Sequence, residues 1–514
     1  MGGAKMRLPS VFVACVMLSS CVIHRLNVTP VDVTEETPIT IESPVKAHLY
    51  DGSTVVFPSG VTVADGSVRG LGERFDLTLS SSSAVNEISL DEVAAMESYQ
   101  TPVSTGATVA ASAGSAVLWV VGGAAVAVAL FGSCPTVYSF DSGAPLLEAE
   151  LFSYSIAPSF QARDIDRLGI KSVDNGILEL EVRNEMLETH YIDQLEILEV
   201  THSPDQSAYP DERGRPLIVG KLLPPSTAVD QSGRDVLYAV RTADDISWST
   251  PDVRLASTSA DDLTDHLDFE FKVPADVDDV AIVLRMRNSL LNTVLFYDVM
   301  LQQQSFAAID WMGHDLGHFG NRAELGLWYR KHMGLTISVW KNGKYRKVTR
   351  IGDQGPIAWS VRAVKLPAGD SDTLKVRLSF VIDNWRFDQV SLALESESTA
   401  TRTVPVSDAS TPEGDQPDIP GYLAKADKTY LITKPRDRVT LRFDVGEAAN
   451  DQSRTFFLAS EGYYIEWMRS EWLTQEHRQK FKPGDDALLD ALSIYADKRD
   501  GLREQFEATK ISVR

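Results

Sequence analysis

Gly313-His314-Asp315-Leu316-Gly317-His318 places two imidazoles four residues apart. On a helix that spacing puts both rings on one face, where they can share a zinc ion. Asp315 stands where metalloproteases carry a glutamate general base. His314 and His318 are therefore the metal-ligand candidates of a metal-dependent hydrolase. No third ligand is identifiable, and Gly317 and Gly320 weaken a helix there. The plainer reading is two loop or helix-end histidines facing solvent.

A second constellation is basic and aromatic. Between Arg322 and Arg350 lie Arg322, Arg330, Lys331, Lys341, Lys344, Arg346, Lys347 and Arg350, with Glu324 as the one acid. Trp328, Tyr329, Trp340 and Tyr345 are interleaved with them. Such a patch suits anionic partners: phosphorylated headgroups, an anionic glycan or an acidic surface of the protein itself. Trp328, Tyr329, Arg330, Lys331, Trp340, Lys344 and Tyr345 are the ligand-binding candidates, and Trp328, Trp340 and Trp385 are candidate aromatic faces for a glycan. The competing reading is a solvated hairpin face with charges paired across the domain. Asn342-Gly343 between two strand-like runs signals a type I′ turn.

Other chemistry is missing from the sequence. There is no Gly-x-Ser-x-Gly elbow, no phosphate-cradling loop and no calcium-loop spacing among the acids. No catalytic residue and no cofactor are expected. Cys134 follows a turn-forming Phe131-Gly132-Ser133 and precedes Pro135, without a neighbouring base to activate its thiol. It is expected to be structural.

The N-terminus says where the chain is sent. Lys5 and Arg7, an apolar Val11–Leu18 core, then Ser19-Ser20-Cys21 form a secretory signal that resembles a bacterial lipobox. That implies a signal peptide over 1–20, lipidation at Cys21 (palmitate among its acyl chains) and membrane anchoring. Val22 follows the cysteine, so no inner-membrane retention signal is visible. The expected location is the bacterial cell envelope, lipid-anchored in the outer membrane and facing periplasm or cell surface. Residues 107–131 are uncharged and apolar, long enough to span a bilayer as a transmembrane helix but rich in Ala and Gly. A buried or interfacial helix is the alternative.

These elements sit in a chain of 514 residues with a formal charge of −23, 43% hydrophobic and 24% charged. The composition is globular, and its acid excess argues against nucleic acid, whose binding needs cationic contacts to phosphate. Period-2 alternation dominates. A tether over 21–45 leads to a small β-barrel-like module over 46–100. The apolar helix follows, then a tandem or layered β-sandwich region over 134–400. A Ser/Thr/Pro-rich linker is expected over 401–424, and a C-terminal β/α region over 425–514 closes with a helix from Asp486 to Ala508. The fold class is mainly β. Three strand–break–strand units, 177–198, 282–301 and 374–392, look alike and start about 100 residues apart, the size of a sandwich.

The strings GSCPTVYSF (132–140), LEAELFSYSIAP (147–158), RNEMLETHYIDQL (183–195), LLNTVLFYDVML (290–301), AIDW (308–311) and LWYRKHMGL (327–335) resemble a family of uncharacterised bacterial lipoproteins. Its members carry a lipobox, a small β module, an apolar Gly/Ala segment and a Cys-Pro-x-x-Tyr-Ser stretch opening a large β region. Here the opening, Tyr138-Ser139-Phe140-Asp141-Ser142-Gly143, is one residue longer than in some relatives. The resemblance implies localisation and architecture and transfers no catalytic residue. The functional expectation is a binding or scaffold protein of the cell envelope. Its partners would be the membrane through the lipid anchor, and a glycan or an envelope protein. The alternatives are a glycan- or envelope-polymer-binding protein and a metal-dependent hydrolase.

Overall fold

A computed structural model describes residues 38–98 and 134–508, apart from breaks at 42–44, 50–52, 58, 76–81, 142, 171–172, 174, 187, 245, 275–276, 278, 305–306, 314, 368–371, 434–436, 449–451 and 467–479. The signal, Cys21, the tether up to residue 37 and the 107–131 stretch lie outside the described residues; the end of the expected tether is not a tether, because Ile39–Ile41 is a strand paired with Val61–Val63. No described helix is long and apolar enough to cross a membrane.

The described residues of 39–98 form an antiparallel sheet of seven strands. It curls around Val45, Val55, Phe57, Val63 and Val68. The curl comes from a register shift between Arg69 and Gly72, where Phe57 packs so closely that a Cβ on Gly72 would lie 2.5 Å from its ring. The sheet does not close into a barrel. Ser82–Ser89 pairs only with Ser67–Phe75, and Val93–Ser98 only with Val45–Leu49. Val56 turns outward and packs on Tyr191, Tyr463 and Ile465 of the main body.

The main body is one β-sandwich with a second inserted into it. The outer sandwich packs a six-stranded sheet centred on Ile177–Arg183 and Arg438–Asp444 against a five-stranded one. The five-stranded sheet is built on the long antiparallel pair Glu188–His202 and Ser453–Glu466. Alternation puts Leu178, Leu180, Val182, Leu441, Phe443, Ile197 and Leu458 in the core between them. The inserted sandwich occupies residues 222–393. Its four-stranded sheet holds Asp279–Asn288 and Trp385–Ala393. Its five-stranded sheet runs in the order Thr227–Asp230, Thr264–Lys272, Thr373–Val381, Leu335–Lys341, Lys344–Ile351. Phe269, Phe271, Leu284, Val376, Trp385 and Phe387 fill its core. The chain enters and leaves the insert through adjacent strands: Pro216–Val219 pairs with Ser396–Ser398, and the Gly220 N–H donates to the Glu395 carbonyl at 3.2 Å.

Three expectations are corrected. Residues 295–301, the second strand of the middle unit, form a π-helix, Leu295–Leu301, that continues the Leu291–Val294 helix. Six of its seven residues are buried, all but Asp298, so its sequence holds no alternation to distinguish a strand. Residues 401–424 are not a linker. They carry strands Arg402–Pro405, Asp408–Thr411 and Gly414–Asp415 and the helix Ile419–Leu423, with Val404, Val406, Ala409, Ile419 and Leu423 in the outer core. Their Ser/Thr/Asp content reflects short strands at the edges of their sheets. The sandwiches are nested rather than strung in ~100-residue steps, because strands on both sides of the insert complete the outer one.

The C-terminal helix, Asp485–Ala508, forms as its spacing predicts. Leu488, Ala491, Leu492 and Tyr495 face the π-helix and the outer core. Buried Arg499 reaches Asp383 at 3.0 Å and donates to the Thr250 carbonyl at 2.7 Å, tying the C-terminus to the insert.

Candidate functional site

The structure separates the predicted basic and aromatic residues into two groups. Trp328, Tyr329, Arg330 and Lys331 lie on the helix Phe319–Met333, which ends before Gly334. Trp328 points inward, against Phe481 and His332. Tyr329 is half-buried and donates its O–H to Asp353. Arg330 and Lys331, on the same helix, are exposed. Trp385 is fully buried and donates Nε1–H to the Met333 carbonyl at 3.2 Å. Trp328 and Trp385 are thus core residues, not glycan faces: each lies on the apolar side of its own element.

Trp340, Lys344 and Tyr345 stay together on the hairpin Leu335–Lys341/Lys344–Ile351. Asn342 (φ 53°) and Gly343 (φ 78°) make the expected I′ turn. Trp340 and Tyr345 are cross-strand partners on the solvent face, with ring centroids 5.0 Å apart in an edge-on arrangement. Strand alternation adds Asp268, Arg377 and Ser338, which sequence alone did not identify, beside Lys347, which it did. Asp268, Arg377, Ser338 and Lys347 form one row across four strands. Arg377 donates to both Asp268 oxygens at 2.7 Å and lies 4.1 Å over the Tyr345 ring. The Asp268 hydrogen bonds hold Arg377 above its usual value, and burial with the Asp268 charge pushes the Tyr345 hydroxyl up to about 12. Tyr345 is therefore un-ionised and fixed from below, while Trp340 leaves 45% of its surface to solvent. Lys341, Lys344, Arg346 and Lys347 are exposed around the pair. The result is a pre-set apolar ring surface with a cationic rim. A neighbouring pair, Lys375–Glu270 at 2.7 Å, is charge-balanced.

The metal candidates do not assemble on a helical face. The helix Ala307–Gly313 stops before His314, which lies outside the described residues. A 3-10 turn, Asp315–Gly317, follows, and His318 is exposed with extended backbone at the start of the next helix. Asp315–Gly317 is a 3-10 turn rather than the α-helical turn that the i, i+4 motif needs. Among the described residues no group of three or more His, Cys, Asp or Glu is arranged to hold a metal. Cys134 is buried as expected, and its thiol meets Glu150 at 3.5 Å.

That contact belongs to a cluster that sequence reasoning missed. Glu150 is buried where the outer sandwich meets the insert's 352–359 loop, and accepts from the Ile357 and Ala358 N–H groups at 2.8 and 2.6 Å. Gly355 (φ 80°) allows the approach, since a Cβ there would lie 2.9 Å from the carboxylate. Asp164 accepts from the Phe152 and Ile165 N–H groups, and Asp353 accepts from Tyr329, Asn292 and the Gly355 N–H. Asp164 and Asp166 each stand 3.9 Å from Arg362. Burial raises all four carboxylates, Glu150 to about 7 against the opposing pull of its two N–H donors. These residues span more than 200 positions, so no local spacing marks them.

No protein-family model and no curated protein matches the chain. Among solved structures, a GH31 alpha-xylosidase from Xanthomonas citri is 10% identical, with 83% of this chain and 38% of that one covered at a TM-score of 0.15. A rhamnosidase from Novosphingobium sp. PP1Y is 9% identical, with 74% of this chain and 29% of that one covered at a TM-score of 0.20. The chain thus spans well under half the length of either enzyme. Scores this low carry no argument about fold or function.

Proposed function

We propose that this chain is a lipid-anchored protein of the bacterial cell envelope, similar to the lipoprotein family named above. In this reading it binds an anionic glycan or envelope polymer and scaffolds rather than catalyses. The anchor is Cys21 and the location is the outer membrane. The observation that supports the binding role is the Trp340–Tyr345 pair held on an open sheet face by Arg377 and Asp268. A rigid ring pair offers its apolar surface to a sugar ring at little entropic cost, because its rotamers are already set. Lys341, Lys344, Arg346 and Lys347 select for negative charge and make the affinity depend on salt.

Titration calorimetry of the purified protein against acidic and neutral polysaccharides tests this reading. Binding to the acidic polymers that weakens with salt, and falls at least tenfold in Trp340→Ala, is the expected result. Unchanged affinity in Trp340→Ala, or binding to no polymer of either kind, overturns it.

A further inference from the structure

Among the described residues, the seam between outer sandwich and insert holds more negative charge than its cations can balance. Four carboxylates converge from three elements: Glu150 at the end of Ala144–Glu150, Asp164 and Asp166 on Ala162–Arg167, and Asp353 on the 352–359 loop. Arg362, from Ser360–Pro367, is the guanidinium among them. It spends its donors on the Gln354 side chain and the Ile165 carbonyl, both at 2.6 Å, and stays 3.9 Å from the two aspartates. Arg285 is committed to Asp388, and Arg287 donates to the Pro356 carbonyl at 2.6 Å. Both stack 4.8 Å from Trp359 at the end of the loop. The remaining titratable neighbours are Cys134 against Glu150, Tyr329 against Asp353, and Tyr154, whose O–H donates to the Arg163 carbonyl at 3.2 Å. All three are neutral donors at ordinary pH.

Four ionised carboxylates around one guanidinium would repel strongly in so dry a setting. The geometry resolves this when protons are held among the four. Their position gives the protons a mechanical role. Glu150 is the peg on which the loop backbone hangs, through Ile357 and Ala358. Asp353 anchors the loop's other end to Tyr329 and Asn292. We infer that this seam is a proton-operated latch: the 352–359 loop stays seated on the outer sandwich while the cluster holds its protons, and lifts as they leave with rising pH. The helices packed into the outer core keep the two sandwiches together, so the motion is confined to the loop.

Hydrogen exchange of the full-length protein, followed by mass spectrometry from pH 5 to 8, tests the latch. Rates are corrected for intrinsic base catalysis and referenced to a peptide from Thr373–Val381. The opening constant of the 352–359 peptide is expected to rise up to about tenfold per pH unit between about 5 and 7 in the wild type and to level off above that. It should be flat in Glu150→Gln, which keeps the acceptor for the loop N–H groups but cannot ionise. If Glu150→Gln folds poorly, Asp166→Asn serves instead, with a reduced slope expected. A corrected opening constant independent of pH in the wild type overturns the latch, as does an equal slope in wild type and both variants.

Discussion

Arginine meets carboxylate in two regions of the inserted sandwich, and the surroundings give the pairs different work. On the open sheet face, Arg377 grips Asp268 at 2.7 Å with both groups partly solvated, and the pair props up an aromatic ring. At the seam, Arg362 is almost fully buried, stands 3.9 Å from two aspartates, and is outnumbered by acids. Water screens the first arrangement, so its value lies in positioning rather than stability. The second has little water to absorb its charge, so its protonation state becomes part of the structure. The tryptophans show the same contrast: Trp385 is core and Trp340 is surface, though both sit on strands of the insert.

Four substitutions sharpen or break this comparison. Arg362→Met should cost about 3–5 kcal/mol in urea unfolding, because it strips the buried carboxylates of their counter-charge and the Gln354 side chain and Ile165 carbonyl of their donor. Trp385→Ala, which opens a cavity in the insert core, should cost a similar ~3–5 kcal/mol, read by the same melts. A loss under 1 kcal/mol in either would mean that the site is wetter than the structure places it.

Glu150→Gln tests the sign of the seam's pH dependence. Glu150 has a higher pKa folded than unfolded, so the folded state binds the extra proton. Its contribution is fully present below about 4.5 and is lost as pH rises through about 7. Buried His190 works the other way. Burial lowers it to about 3, so its contribution is present above about 6.5 and is lost as pH falls below that. Between about pH 4.5 and 6.5 the two slopes oppose each other. The Glu150→Gln variant should therefore gain stability relative to wild type as pH rises, measured by paired urea melts at the two ends. Lys375→Ala on the open face, which breaks an exposed pair with Glu270, should shift stability by no more than about 0.5 kcal/mol at any pH.

The sequence made the strands legible wherever one face is wet. Ile177–Arg183, Leu335–Ile351 with its Asn-Gly turn, and Thr373–Val381 all alternate because solvent reads one side of them. Legibility failed where both sides are buried, as at Leu295–Leu301, and where strands are too short to show a period, as at Arg402–Pro405. Of the candidate site, Trp340, Lys344 and Tyr345 were visible because a tight turn keeps them adjacent. Arg377 and Asp268 were not, since strand order rather than spacing brings them there. The seam was least visible of all: Glu150, Asp164, Asp353 and Arg362 meet only after one sandwich has been nested in the other.

The paired strands at the base of the insert also bear on how the chain finds its fold. Glu188–His202 must pair with Ser453–Glu466 across more than 250 intervening residues, a search that slows folding. An insert that folds first brings Val219 and Ser396 within one ladder spacing of each other. The remaining search is then that of two short flanking segments, with most of the loop-closure entropy already spent. The inserted sandwich would in this way template the outer one, and slowing its folding should delay both.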